Sequence, residues 1–308
     1  RAGEDKLVGD LGDDTIAGGS DADTIYGDDE ASTNNLGGAD DLKGGLGEDK
    51  LYGGYGNDTL QGGEGDDELD GGAGTDTVDY SDATSGVTVD LGISTVQTVS
   101  GGRGLDTIVD IENVLGSQYD DEFRSKIDTV NVFDGAGEGA TGDTVVYIDK
   151  LDQSGDSIEV DLSDSSVTVV VNDADGADED DVLIDIENIT GTAGNDTISG
   201  DSANNTFIGE DGNDTLEGNA GDDYLSGGDG NDTATYAYVG AGNNVTVDLK
   251  DGTATVSGTD SDTLSSIENI VGTSENDTIK MDTVSVANTI DGSGGNDTIS
   301  YEYFTSDI

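Results

Sequence analysis

The sequence contains no cysteine, histidine, proline or tryptophan. Disulfides and thiolate metal ligands are therefore excluded, and with no imidazole either, zinc is an unlikely occupant of any site. No run approaches the ~20 consecutive apolar residues that a spanning helix requires. The opening Arg1-Ala-Gly-Glu-Asp also lacks the basic and apolar regions of a signal peptide, so the expectation is a soluble chain whose export signal lies elsewhere. Positive charge is scarce: 10 Lys and Arg face 70 Asp and Glu, a net charge of −60 over 308 residues. That balance excludes nucleic acid and anionic membrane surfaces as partners. Leu, Ile, Val and Phe make up roughly a fifth of the chain, near the limit below which highly charged sequences stay disordered. So much like charge must be offset by bound cations or by very high external salt, which points outside the cytoplasm or to a halophile.

What the sequence has in quantity is glycine, 50 residues of it, arranged in a register. From Gly44, four nonapeptides follow without a gap: Gly-Gly-Leu-Gly-Glu-Asp-Lys-Leu-Tyr, Gly-Gly-Tyr-Gly-Asn-Asp-Thr-Leu-Gln, Gly-Gly-Glu-Gly-Asp-Asp-Glu-Leu-Asp and Gly-Gly-Ala-Gly-Thr-Asp-Thr-Val-Asp. Asp49, Asp58, Asp67 and Asp76 hold the sixth position, and Leu51, Leu60, Leu69 and Val78 the eighth. The same frame holds upstream at Asp5/Leu7, Asp14/Ile16 and Asp23/Ile25, and downstream at Asp196/Ile198, Asp214/Leu216, Asp223/Leu225 and Asp232/Ala234.

One inward apolar residue per repeat fits a very short strand, which leaves six residues for a turn. Glycine tolerates the left-handed conformations that bring several carbonyls to one point, and the aspartate adds a carboxylate there. Six or more hard oxygen ligands in an adaptable loop suit Ca²⁺ better than Mg²⁺, which demands a smaller octahedral site. If two repeats make one coil, residues eighteen apart stack. Asp49 then lies over Asp67 and Asp58 over Asp76, about 4.8 Å apart, and carboxylates that close need a cation between them.

Gly-Gly-x-Gly-x-Asp-x-U-x, with U an apolar residue, resembles the RTX (repeats-in-toxin) nonapeptide. The resemblance implies an all-β fold: a right-handed parallel β-roll or β-solenoid that forms on binding several calcium ions outside the cell, after type I secretion. It further implies that each ion is held by turn carbonyls and the sixth-position acid. The matching aspartates are Asp5, Asp14, Asp23, Asp40, Asp49, Asp58, Asp67, Asp76, Asp121, Asp196, Asp214, Asp223, Asp232, Asp277 and Asp297. Some copies depart from the pattern. Asn205 and Asn288 replace the acid, Asp21 replaces the fourth-position Gly, and the copy from Gly27 to Asn34 is one residue short, with Ser32 in the acid position. Those copies are expected to make weak calcium sites or none.

A longer unit overlies the nonapeptide. Asp76-Thr-Val-Asp-Tyr80, Asp143-Thr-Val-Val-Tyr147, Asp232-Thr-Ala-Thr-Tyr236 and Asp297-Thr-Ile-Ser-Tyr301 each end a block, the tyrosine capping the apolar layer. Alternating strands follow at Val87–Leu91, Ile158–Leu162 and Val245–Leu249, then Ile111-Glu-Asn-Val114, Ile186-Glu-Asn-Ile189 and Ile267-Glu-Asn-Ile270. The expected organisation is an RTX block over 1–80, wider β-solenoid rungs over 81–115, a short degenerate block over 116–147, rungs over 148–190, a block over 191–236, rungs over 237–271 and a partial block over 272–308, in a chain cut from something longer. Glu112, Glu187 and Glu268 sit beside amides but recur as structural copies, so a ladder or turn role is expected rather than acid catalysis. The acidic run from Asp173 to Asp181 lacks the spacing of a helix-loop-helix calcium loop and reads as a solvated loop.

The expectation for function is a non-catalytic, calcium-binding structural or adhesive segment of a secreted bacterial surface protein, not an enzyme. Its partners would be calcium and, beyond that, a second copy of itself or cell-surface polysaccharide, with no membrane insertion. The alternative is the calcium-binding module of a secreted hydrolase or polysaccharide-modifying enzyme. A catalytic domain elsewhere in the same gene would discriminate the two.

Overall fold

A computed structural model describes residues 3–28, 37–125, 129–137, 139–147, 156–163, 166–172, 180–257, 260–281 and 288–301. The short copy around Ser32 and residues 173–179 of the acidic run lie outside them. The described residues contain strands and turns and no helix, so no helix among them is long and apolar enough to cross a membrane. The chain divides into two compact units, Arg1–Val145 with Asp181–Ile186, and Val146–Asp180 with Glu187–Ile308.

In the first unit, two nonapeptides make one coil. Strands from alternate repeats add in parallel to two sheets. Lys6–Val8, Thr24–Tyr26, Lys50–Tyr55, Glu68–Ala73 and Gly104–Val109 stack in one; Thr15–Ser20, Asp41–Leu46, Thr59–Glu64, Thr77–Asp79, Asn113–Leu115, Val132–Asp134 and Asp181–Ile184 stack in the other. Leu51 pairs with Leu69 and Leu60 with Val78, the eighteen-residue step expected of the repeat. The step lengthens where residues 27–40 intervene, so that Ile25 pairs with Leu51. Eighth-position side chains from both sheets point inward: Ile25, Leu42, Leu51, Leu60, Leu69 and Val78 are all fully buried. Burying a Leu-sized side chain contributes roughly 1.5–3 kcal/mol, so one such residue per nine supplies the core that composition alone made doubtful.

The second unit repeats the scheme. Ser157–Asp161, Thr197–Ser199, Thr215–Glu217, Thr233–Thr235, Asn269–Val271 and Ile290–Asp291 form one parallel stack. Asn188–Thr190, Thr206–Gly212, Tyr224–Gly230 and Asp260–Ser265 form another.

The intervening stretches carry an element that the repeat pattern does not announce. Val96–Val99 pairs antiparallel with Gly104–Val109, Ser157–Asp161 with Ser166–Asn172, and Val245–Asp248 with Thr253–Val256, which in turn pairs antiparallel with Asp260–Ser265. In the first and third of these the returning strand resumes parallel pairing on the last nonapeptide, Gly104–Val109 on Glu68–Ala73 and Asp260–Ser265 on Tyr224–Gly230. Tyr80, Tyr147 and Tyr236 are buried at the block ends, whereas Tyr301 is exposed.

Candidate metal centres

The sixth-position aspartates line the turns at the sheet edges and are linked from coil to coil. Each offers Oδ1 to the backbone N–H of the equivalent residue one coil earlier. Asp5 donates to Asp23 (2.7 Å), Asp23 to Asp49 (2.7 Å) and Asp49 to Asp67 (2.8 Å) along one edge. Asp14 donates to Asp40, Asp40 to Asp58 and Asp58 to Asp76, all at 2.8 Å, along the other. In the second unit Asp196 donates to Asp214 and Asp214 to Asp232 (both 2.9 Å), Asn205 to Asp223 (2.8 Å) and Asp277 to Asp297 (3.0 Å). The ladder thus fixes the orientation of each carboxylate that accepts a rung.

Oδ2 is left over. In Asp14, Asp23, Asp40, Asp49, Asp58, Asp67, Asp76, Asp214, Asp223 and Asp232 this atom is buried and has no hydrogen-bond partner among the described residues. A buried carboxylate oxygen without a donor is costly, and one recurring in register demands a cation. The first-position glycine makes room beside it: a Cβ on Gly44 would collide with Asp49 Oδ2 and with the Gly62 carbonyl of the next coil. The same holds for Gly53 with Asp58 and the Gly71 carbonyl, and for Gly209 with Asp214 and the Gly227 carbonyl. Carboxylate and carbonyl oxygens therefore converge on a notch that only glycine leaves open. An oxygen-only donor set of this kind fits calcium. Burial pushes Asp58, Asp67, Asp214 and Asp223 up to about 7 and Asp76 up to about 6; neighbouring carboxylates add to the rise and the backbone hydrogen bonds oppose it. Burial thus disfavours the ionised form that a cation would stabilise.

The turns come in two conformations. Where Oδ2 has no donor, the second and fourth residues mostly take positive φ. Examples are Gly45 (117°) with Gly47 (128°), Gly63 (108°) with Gly65 (144°), and Glu210 (75°) with Gly212 (136°). Asp21, in place of the fourth-position Gly, adopts φ 75° and preserves that shape. In the other kind, residues two and four stay out of the left-handed region and the second residue's N–H bonds the sixth side chain: Ser117 to Asp121 Oδ2 (2.6 Å), Thr192 to Asp196 Oδ2 (2.6 Å), Thr273 to Asp277 Oδ2 (2.7 Å) and Asp201 to Asn205 Oδ1 (3.1 Å).

At the block ends the ladder continues on residues that carry no glycine-rich signature. Asp106 and Asp262 accept from the Asp67 and Asp223 N–H at 3.1 and 3.2 Å, and their Oδ2 atoms accept from the Tyr80 and Tyr236 hydroxyls at 3.0 Å. The Asp-Thr-apolar triplet Asp106-Thr-Ile108, shared with Asp58-Thr-Leu60, was the signal available for finding them. Glu112 and Glu268 occupy the ladder in the same way, accepting from the Asp76 and Asp232 N–H at 2.9 and 3.0 Å. The two Asn substitutions also have a reason: Asn205 and Asn288 donate Nδ2 to the carbonyls of Glu187 and Glu268, which a carboxylate could not do, and Asn131 does the same to the Glu112 carbonyl. Asp5 donates the first rung of its edge, and Asp297 is exposed on the last coil.

A family model for the RTX calcium-binding nonapeptide repeat matches residues 1–33, 36–60, 52–82, 184–216, 199–234 and 286–301. The chain carries RTX calcium-binding repeats. No curated protein matches it. The RTX turns are calcium-binding and present in many copies, and the all-β stack of parallel strands is their β-roll.

Proposed function

We propose that the chain is a non-catalytic structural or adhesive segment of a secreted bacterial surface protein, whose β-rolls assemble when the turns take up extracellular calcium. The aspartates carried over from the family, the closed turns discussed below excepted, are its ligands. The observation that carries this reading is the row of buried, donorless Oδ2 atoms repeated one coil apart on both edges of a roll. Their like charge opposes stacking, and each bound ion would turn that repulsion into attraction, so that binding energy becomes folding energy. Extracellular calcium modules work at Kd values on the order of 10⁻⁴–10⁻³ M, a range that keeps such a chain unfolded before export and folded after it. The non-catalytic part of the reading is supported by the absence of His and Cys and by the structural use made of Glu112 and Glu268. Circular dichroism and small-angle scattering with calcium and with chelator test it. The expected result is a gain of β signal and compaction on adding calcium, whereas an equally compact, β-rich chain in chelator contradicts it.

A further inference from the structure

We propose that the second residue of each turn decides whether the turn holds calcium. Turns whose second residue is left-handed bind it, whereas turns closed by their own Ser, Thr or Asp at that position do not, so Asp121, Asp196 and Asp277 are not calcium ligands. This inference rests on the calcium reading above and narrows it, because the family match spans 191–205 and 209–232 alike and does not separate the two kinds of turn.

The closed turns complete the carboxylate with protein donors. Asp196 Oδ1 accepts from the Ile158 N–H at 2.8 Å and lies 2.9 Å from the Thr192 hydroxyl, while Oδ2 accepts from the Thr192 N–H. Asp121 is held likewise by Val87 N–H and by the Ser117 N–H and hydroxyl, and Asp277 by Val245 N–H and by the Thr273 N–H and hydroxyl. The second-position side chain also accepts from the fourth residue's N–H: Tyr119 on Ser117, Gly194 on Thr192, Glu275 on Thr273 and Ala203 on Asp201. That bond holds the turn out of the left-handed shape. Ser117, Thr192 and Thr273 are buried, so a cation on Oδ2 would strand a buried N–H with no access to water.

A comparison within the chain supports the division. Asn205 holds the sixth position of a closed turn, whereas every turn with a left-handed second residue among those described has Asp there. A neutral amide is tolerated where the oxygen meets an N–H and is missing where it has no donor. Three of the closed turns directly follow the Ile-Glu-Asn segments, at Gly116, Gly191 and Gly272. Each new block therefore opens on a coil whose shape does not depend on the ion and which supplies the N–H for the next carboxylate, as Asp196 does for Asp214.

The test is the calcium content of the full chain, stripped with chelator and recharged, measured by native mass spectrometry. Asp196→Asn is expected to keep the wild-type number of ions, and Asp214→Asn to lose calcium. Loss of calcium from both variants alike overturns the assignment. Anomalous scattering from wild-type crystals grown in calcium needs no variant: density beside Asp214 Oδ2 and none beside Asp196 Oδ2 is expected, and a peak at Asp196 overturns the assignment. A wild-type chain that takes up no calcium at all defeats the underlying calcium reading, an outcome distinct from either of these.

Discussion

At the scale of the residue, the two oxygens of one carboxylate have separate tasks. Oδ1 ties its coil to the previous one, and Oδ2 faces the glycine notch. Removing Asp67 therefore costs a rung of the ladder and a ligand together. Asp67→Ala is expected to weaken calcium binding by about tenfold or more, as the loss of a charged ligand does. Glu64→Ala, at an exposed third position, is expected to leave it unchanged, and isothermal titration calorimetry of the two variants checks the register. Tyr80 shows the other way to satisfy Oδ2: its hydroxyl reaches Asp106 where the repeat stops. Tyr80→Phe leaves that buried oxygen without a donor and is expected to destabilise the calcium-loaded chain by about 1–3 kcal/mol, measured by urea unfolding in saturating calcium.

At the scale of the element, each turn is governed by how closely successive coils approach. Gly63, at φ 108°, lies against the Gly45 carbonyl of the coil before it, and any Cβ there would meet backbone that cannot give way. Gly63→Ala therefore combines left-handed strain with a steric clash and is expected to cost roughly 1–3 kcal/mol. At Gly3, also left-handed, a Cβ would meet nothing within 4 Å, so Gly3→Ala is expected to cost less in the same unfolding assay. The tight coils also explain why antiparallel hairpins mark the wider stretches. Val96–Val99 leaves the coil and Gly104–Val109 returns to it, so extra chain is accommodated without breaking the parallel stack.

At the scale of the whole molecule, a net charge of −60 makes folding a problem of charge compensation, which protons and calcium solve differently. In the metal-free fold the Asp58, Asp67, Asp214 and Asp223 carboxyls rise from 3.8 to about 7. A raised value favours the fold in its protonated form. That contribution is fully present below the unfolded value and is lost as pH rises through about 7. In chelator, the β signal is accordingly expected to grow as pH is lowered from 8 towards 5, while the calcium needed to fold the chain rises as protons compete for the same oxygens. A pH series of calcium titrations followed by circular dichroism measures both, and a metal-free chain losing β signal on acidification contradicts the sign.

Periodicity alone determined the nine-residue unit and the inward Leu and Ile positions, because a fixed period maps directly onto a repeating backbone. That two repeats make one coil, which places Asp49 beside Asp67, is a condition that the pairing of Leu51 with Leu69 meets. Periodicity also gave the ladder role of Glu112 and Glu268, since three equivalent copies outweigh a solitary acid. What it did not separate were the two kinds of turn: Gly-Gly at 44 and Gly-Thr at 191 share spacing, acid and apolar residue, yet differ in backbone dihedral and hence in which atom meets Oδ2. Asp106 and Asp262 carry the Asp-Thr-apolar triplet without a glycine-rich turn, and their tyrosine and ladder partners stand 26 and 39 residues away, where spacing gives no pairing. The N–H that meets Oδ2 in a closed turn stands only four residues from it, but whether it faces the carboxylate depends on a backbone dihedral that spacing does not specify. The donors to Oδ1 come from other coils, which only the packed chain brings near.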